Sequence, residues 1–175
     1  MTDKELTIII TTFRSENKID SCLESIDPNI SKIVVENSNN QKFKNYIENK
    51  YSNIECILTN GNLGYGKSNN IGLKKAKTKY CLVLNPDTIL EKEAIKNFII
   101  SAKKNKDFYI IGPMPIKDEF LKKNNFKDKF SLLETEQIEG FAMFLNMEKF
   151  YNIGFFDENF FLYLEEIDLC KRVKN

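Results

Sequence analysis

Asp87 stands just beyond an uncharged run, Tyr80-Cys81-Leu82-Val83-Leu84, from which it is separated by Asn85-Pro86. Such a run reads as a strand buried on both faces, the kind found in parallel sheets covered by helices. Pro86 cannot donate to a ladder, so the strand ends there. Asp87 is thereby placed outside the carboxyl end of a strand, where open α/β sheets bind ligands. A carboxylate in that place can hold a divalent metal against a substrate's phosphates. The same residues also read as an Asn-Pro-Asp turn into a helix capped by Thr88, with Glu91 completing a capping box. The two readings are compatible, because the cap uses Thr88 and leaves Asp87 free.

A second group is the glycine and asparagine loop. Residues 61–68, Gly61-Asn62-Leu63-Gly64-Tyr65-Gly66-Lys67-Ser68, match the phosphate-binding pattern G-x-x-x-x-G-K-[ST]. Backbone N–H groups there could cradle phosphates, with Lys67 on the outer ones and Ser68 on magnesium. Against a P-loop, the unit is not the opening strand-helix step, and nothing in that mechanism calls for asparagine at 60, 62, 69 and 70. Nucleotide contact by those asparagines is the leading reading, with a plain tight turn next and the P-loop last.

A third group is acidic: Glu165, Glu166 and Asp168, followed by Arg172. By themselves they read as an amphipathic helix with a solvated acidic face. Asp168 and Arg172, at i and i+4, can pair.

These groups need a frame to position them. Hydrophobic residues make up 42% of the 175 and charged ones 29%, which marks one soluble globular domain with a real core. Net charge is +1, so no strong field draws nucleic acid. Lysines cluster at 74, 75, 77 and 79 and at 103, 104 and 106, and read as solvated helix ends. With four cysteines that show no CxxC spacing and no histidine, a zinc site or a Ser-His-Asp triad is effectively ruled out. Cys56 and Cys81 lie in apolar runs as small hydrophobes. No signal peptide precedes Leu6 and no run is long enough to span a bilayer, so the expected compartment is the cytosol, with room for peripheral contact at the inner face of the membrane.

Along the chain, strands are expected at Leu6–Thr12, Ile33–Val35, Ile54–Leu58 and Tyr80–Leu84. Between them lie helices at about Glu16–Ser25 (Ser15 as N-cap), Gln41–Lys50 and Tyr65–Lys77. This alternation predicts right-handed crossovers and a mostly parallel sheet. A helix over about Glu91–Lys104 and a strand over Phe108–Ile111 follow. Residues 116–139 read as a mobile excursion over the site. Then come a strand over Ile138–Leu145, a short helix over Met147–Ile153 stopped by Gly154, and a helix from about Leu162 to the end.

The ordered set of short motifs resembles glycosyltransferase family 2, with the GT-A fold, and within it the bacterial rhamnosyltransferase-like group. The likeness covers nearly the whole chain. It rests on Ile10-Thr11-Thr12-Phe13, Val34-Val35-Glu36-Asn37-Ser38, Asn62-x-Gly64 with Asn69-Asn70-x-Gly72, Leu84-Asn85-Pro86-Asp87 and Glu139-Gly140. Its last parts are Gly154-Phe155-Phe156-Asp157-Glu158 and Phe161-x-Tyr163-x-Glu165-Glu166-x-Asp168-Leu169-x-x-Arg172.

The resemblance implies a single GT-A-like α/β domain over 1–175, with a nucleotide-sugar-binding half (1–112) and an acceptor half (113–175) cut short relative to the family. It implies an inverting, metal-dependent transfer of a hexosyl or deoxyhexosyl group from a UDP- or dTDP-linked donor to a glycan or lipid-linked acceptor in bacterial surface polysaccharide synthesis. Thr11 and Glu36 would hold the base, Asn62, Gly64 and Asn70 the nucleotide and phosphates, and Asp87 a Mg2+ or Mn2+ ion. Asn85 replaces the first acid of the DxD signature, and Glu36 stands where aspartate is usual. Glu166 is the expected general base, with Glu165 as fallback, and Tyr163 is a candidate for the acceptor sugar. The rival readings are a non-catalytic nucleotide-sugar-binding remnant and a P-loop kinase or NTPase.

Overall fold

A computed structural model describes residues 5–114 and 132–174. The strands are β1 (Leu6–Thr12), β2 (Ser31–Glu36), β3 (Ile54–Leu58), β4 (Tyr80–Leu84), β5 (Ile110–Ile111) and β6 (Ala142–Asn146). Among the described residues they form one sheet in the order β3-β2-β1-β4-β6-β5, in which β6 runs antiparallel to β4 and β5 and the other pairs are parallel. Every residue of β1, β4 and β6 is buried, as strands covered on both faces must be. Helices α1 (Ile19–Glu24), α2 (Gln41–Lys50) and α4 (Ala94–Lys104) cover one face, over a core that includes Ile8, Ile10, Leu82 and Phe144. The other face is covered by α3 (Tyr65–Lys75), a 3-10 turn at Met147–Phe150 and α5 (Glu165–Lys174), over Ile9, Val35, Val83 and Leu145.

Two features of this topology aim the chain at one edge. Chain order reverses between β1 and β4, so a crevice opens outside their carboxyl ends. Because β6 is antiparallel, its entry (Gly140-Phe141) comes to the edge where β4 ends, with Ala142 in register with Leu84. Glycine permits the closest helix approach: a Cβ on Gly72 of α3 would lie 2.5 Å from the Ile9 side chain of β1. The lysines at 74, 75, 103 and 104 occupy the last turns of α3 and α4, where cations suit the helix dipole.

Several expected boundaries move. Helix α1 starts at Ile19, and residues 15–18 form a turn in which the Ser15 carbonyl accepts from Lys18 and Ile19 N–H. The Ser15 hydroxyl turns back to the Phe13 carbonyl and caps nothing. The capping box at Thr88 and Glu91 does not form. Thr88 N–H closes a turn on the Asn85 carbonyl (3.1 Å), and α4 begins only at Ala94. Helix α3 stops at Lys75, β5 shortens to two residues, β6 starts at Ala142, and α5 starts at Glu165. The short helix after Met147 is a 3-10 turn ending at Phe150, with Gly154 (φ 74°) closing the turn behind it. The excursion expected over 116–139 lies largely outside the described residues.

Candidate active site

At the crevice, Glu36 ends β2 with its carboxylate buried. One oxygen accepts from the N–H of Ser38 (2.9 Å) and from its hydroxyl, and the other from Asn40 N–H. A carboxylate offers about four acceptor positions, so roughly one remains for a ligand. The extra methylene relative to aspartate lets the side chain curl onto its own loop. Asn40 in turn caps α2 through Phe43 N–H (3.0 Å).

Asn37, next in sequence, is the residue the motif reading passed over. Its N–H donates to the Thr12 carbonyl at the end of β1 (2.8 Å). Its side-chain oxygen accepts from Thr59 (3.1 Å) and Leu63 N–H (2.9 Å), and its amide nitrogen donates to Asn62 Oδ1 (2.9 Å) and the Gly64 carbonyl (3.3 Å). One buried amide thus ties three strand ends to the glycine loop. Asn62 Oδ1 also accepts from Gly64 N–H (3.0 Å), an Asx turn that shapes the loop. The available signal was an amide directly after a buried strand, but its partners come from 22 to 27 residues downstream.

Gly64 has φ 83° and ψ 176°, a conformation essentially confined to glycine. A Cβ there would sit 2.1 Å from the Phe161 carbonyl oxygen, and that oxygen accepts from Tyr65 N–H (3.0 Å). The start of α3 is therefore occupied by backbone from the C-terminal part of the chain. This geometry removes the P-loop reading. Ser68 is fully buried, with no hydrogen-bond partner among the described residues and no route to magnesium. Lys67 lies 3.9 Å from Glu158.

Thr11 and Asn70 face inward. The Thr11 hydroxyl donates to Asn69 Oδ1 (2.8 Å), joining β1 to α3. Its neighbour Thr12 has a buried hydroxyl without a partner among the described residues. Asn70 holds the backbone of Phe156 and also donates to Glu158 (3.1 Å). That bond, with Lys74 at 3.0 Å, keeps the Glu158 carboxyl below its ordinary pKa.

Asp87 lies beyond β4 with its side chain about half exposed (52%), 3.4 Å from the Lys18 ammonium. An exposed pair of this kind contributes about 0–1 kcal/mol and yields readily to a stronger ligand. Asn85 points the other way, its Oδ1 2.9 Å from the Tyr65 hydroxyl. Among the described residues no three acids or thiols gather as a metal cage. A single accessible carboxylate suits an ion whose remaining ligands are phosphate oxygens and water.

The two glutamates divide by burial. Glu165 is 3% exposed and one of its oxygens has no partner among the described residues. Burial raises its pKa, and the neighbouring Glu166 charge adds to that. Glu166 is half-buried beside Gly140, where a Cβ would lie 3.6 Å from its Cγ. Arg172 pairs with Asp168 (2.7 Å), as the spacing predicts, and donates to the Ile153 and Phe155 carbonyls, which fixes α5 against the turn at Gly154. Tyr163 is exposed, in a left-handed conformation shared with Leu164 (φ 68° and 72°).

A mostly parallel sheet, an acid beyond its fourth strand, a glycine-asparagine loop and an acidic helix start belong here to an α/β domain of the GT-A type. The profile of glycosyl transferase family 2 matches residues 7–170, and the chain belongs to that family. It is 27% identical over 192 residues to the low-salt glycan biosynthesis hexosyltransferase Agl10 of Haloferax volcanii, covering 97% of this chain and 62% of that protein. It is 26% identical over 200 residues to the rhamnosyltransferase WbbL of Escherichia coli K12, covering 95% and 75%. Two solved structures share the fold. Staphylococcus aureus TarS 1-349 in complex with UDP-GlcNAc has a TM-score of 0.71 and 17% identity, over 97% of this chain and 53% of that one. The mannosyltransferase PcManGT of Pyrobaculum calidifontis in complex with GDP-Man and Mn2+ has 0.70 and 11%, over 89% and 48%. The chain spans about 62% of the length of the first of these relatives.

Proposed function

We propose that this protein is an inverting glycosyltransferase that moves a hexosyl or deoxyhexosyl group from a UDP- or dTDP-linked donor to a glycan or lipid-linked acceptor of the cell surface, acting in the cytosol or at the inner face of the membrane. The observation that carries this reading is the convergence on one sheet edge of the Glu36–Asn37–Asn62–Gly64 network, Asp87 and Glu166. Glu36 takes the imide N–H of the base on its remaining acceptor position. Asn62 and Gly64 shape the loop along the nucleotide, while Thr11 and Asn70 act from beneath by holding α3 and residues 156–158. Asp87 would hold Mg2+ or Mn2+, whose chemistry when bound is to neutralise charge on the departing diphosphate. Glu166, the accessible member of its pair, takes the proton of the acceptor hydroxyl as that oxygen bonds to the anomeric carbon. The bond to the diphosphate breaks on the opposite face, so the configuration inverts. The names of the relatives, a hexosyltransferase and a rhamnosyltransferase, support the transferred group, and the UDP-GlcNAc, GDP-Man and Mn2+ complexes of the neighbours support the donor and ion classes.

The test is a thermal-shift screen with UDP, dTDP and GDP, with and without Mn2+, followed by turnover of Asp87→Ala and Glu166→Gln. A ligand that binds only the folded state raises the melting temperature. The expected result is a shift with UDP or dTDP that grows with Mn2+, and a loss of turnover of about 10²-fold or more in both variants. Undiminished turnover in both variants would sink the mechanism. Donor binding without turnover in the wild type would make the domain a binding remnant.

A further inference from the structure

Tyr65 joins the segments that this site depends on. Its N–H donates to the Phe161 carbonyl, and its hydroxyl lies 2.9 Å from both Asn85 Oδ1 and the Gly140 carbonyl oxygen. A phenol carries one proton, which these two acceptors share. The ring packs edge-on against Phe156 with centroids 6.2 Å apart. Burial raises the pKa of the hydroxyl, the Asn69 amide opposes this in part, and the charges of Glu165, Glu166 and Asp87 raise it further, so the phenol stays a proton donor at neutral pH. On one side, Asn85 opens the turn that carries Asp87, with its N–H on the Phe141 carbonyl (2.9 Å). On the other side, Gly140 is the surface against which Glu166 packs.

We infer that Tyr65 is a positioning residue for sugar transfer. Its hydroxyl latches the Asn85-Pro86-Asp87 turn to the entry of β6 and so sets Asp87 and Glu166 at a fixed separation, while Asn85 serves this latch and stands outside the metal shell. This rests on the proposed function for what those two carboxylates do. They lie on different segments, a turn held to β6 by Asn85 N–H and a helix held by Arg172, and the phenol adds a tie between the two. A misplacement of about 1 Å between reacting groups costs roughly 10²-fold in rate, which makes such a tie worth having. The latch also accounts for an amide at position 85. A carboxylate there would be the stronger acceptor, drawing the single phenol proton to itself and releasing the Gly140 carbonyl.

The test uses Tyr65→Phe, which keeps the ring against Phe156, and Asn85→Asp. Calorimetry measures the affinity for UDP, dTDP and GDP with and without Mn2+, and hydrogen exchange follows the Asn85 and Thr88 amides in the ligand-free protein. A merely structural role for the hydroxyl changes the folded fraction and leaves the Mn2+ enhancement of nucleotide affinity alone. The latch predicts that Tyr65→Phe cuts that enhancement by about fivefold or more, keeps metal-free affinity within about twofold, and speeds exchange at both amides by about tenfold. It predicts no gain in the enhancement for Asn85→Asp. Enhancement and exchange both unchanged in Tyr65→Phe would overturn the inference, as would an enhancement raised by Asn85→Asp. If the wild type shows no Mn2+ enhancement with any of the three nucleotides, it is the metal reading of Asp87 that fails. The latch is then decided by exchange alone, faster amides upholding it and unchanged ones overturning it.

Discussion

Asn70 grips the backbone of Phe156 from both sides: its Oδ1 accepts from the Phe156 N–H at 3.0 Å, and its Nδ2 donates to the Phe156 carbonyl at 2.9 Å. This pair of bonds sews α3 to the segment that leads into α5, in a place closed to solvent. Asn70→Asp would set a carboxylate oxygen against that carbonyl and add a like charge beside Glu158. The expected cost is about 2–4 kcal/mol, or roughly 5–15 °C in melting temperature, with the nucleotide affinity of the folded protein unchanged. Thermal melts and nucleotide titration check both halves. A lower affinity at an unchanged melting temperature would return Asn70 to the ligand.

Gly64→Ala meets two obstacles, a backbone conformation closed to alanine and the Phe161 oxygen 2.1 Å from the new Cβ. Relief requires the 161 segment to move away from α3, which also releases the Tyr65 N–H. A loss of about 2–4 kcal/mol is expected in urea unfolding, with nucleotide binding weakened in the fraction that remains folded.

Glu165 carries a pH dependence of definite sign. Its folded-state pKa lies above the ordinary value of 4.5, so the folded state binds more protons than the unfolded chain. The stability tied to this group is fully present below about pH 4.5 and is lost as pH rises through the folded-state pKa. Glu165→Gln, which cannot ionise, is therefore expected to melt above the wild type at pH 7, the gap closing at pH 4. A Gln variant that melts lower at pH 7 would mean that the charged form is held by a favourable partner.

Lys18→Ala removes the exposed partner of Asp87. Stability should change by less than about 0.5 kcal/mol, since such pairs contribute little in water. Mn2+ should bind more tightly in the absence of nucleotide, because a competing cation has gone. Manganese titration by electron paramagnetic resonance reads this directly, and unchanged affinity would show that Lys18 does not compete at Asp87.

Lys67→Ala separates the glycine loop from a true phosphate cradle. The side chain is half exposed, at long range from Glu158, so only a modest loss of donor affinity is expected. Abolished ATP binding would instead restore the P-loop reading.

Local sequence determined the strands that end at the crevice. Uncharged runs at 6–12 and 80–84 fold where their pattern puts them, because burial on both faces admits little else. The Asp168–Arg172 pair was legible for a similar reason, since its partners are one helical turn apart. Capping was less legible. Ser15 and Thr88 carry suitable hydroxyls, but tight turns at 15–18 and 85–88 engage the local backbone and delay both helices. Tertiary structure alone decided which partners the polar groups find. The Asn69, Asn70 and Asn85 side chains find partners across 58, 86 and 20 residues of chain, and Asn37 finds four groups on the glycine loop and on Thr59 just past β3. A residue's type declares what it can bond, but a buried amide must bond whatever the fold brings within about 3 Å, and that neighbour is set by the packing of the whole sheet.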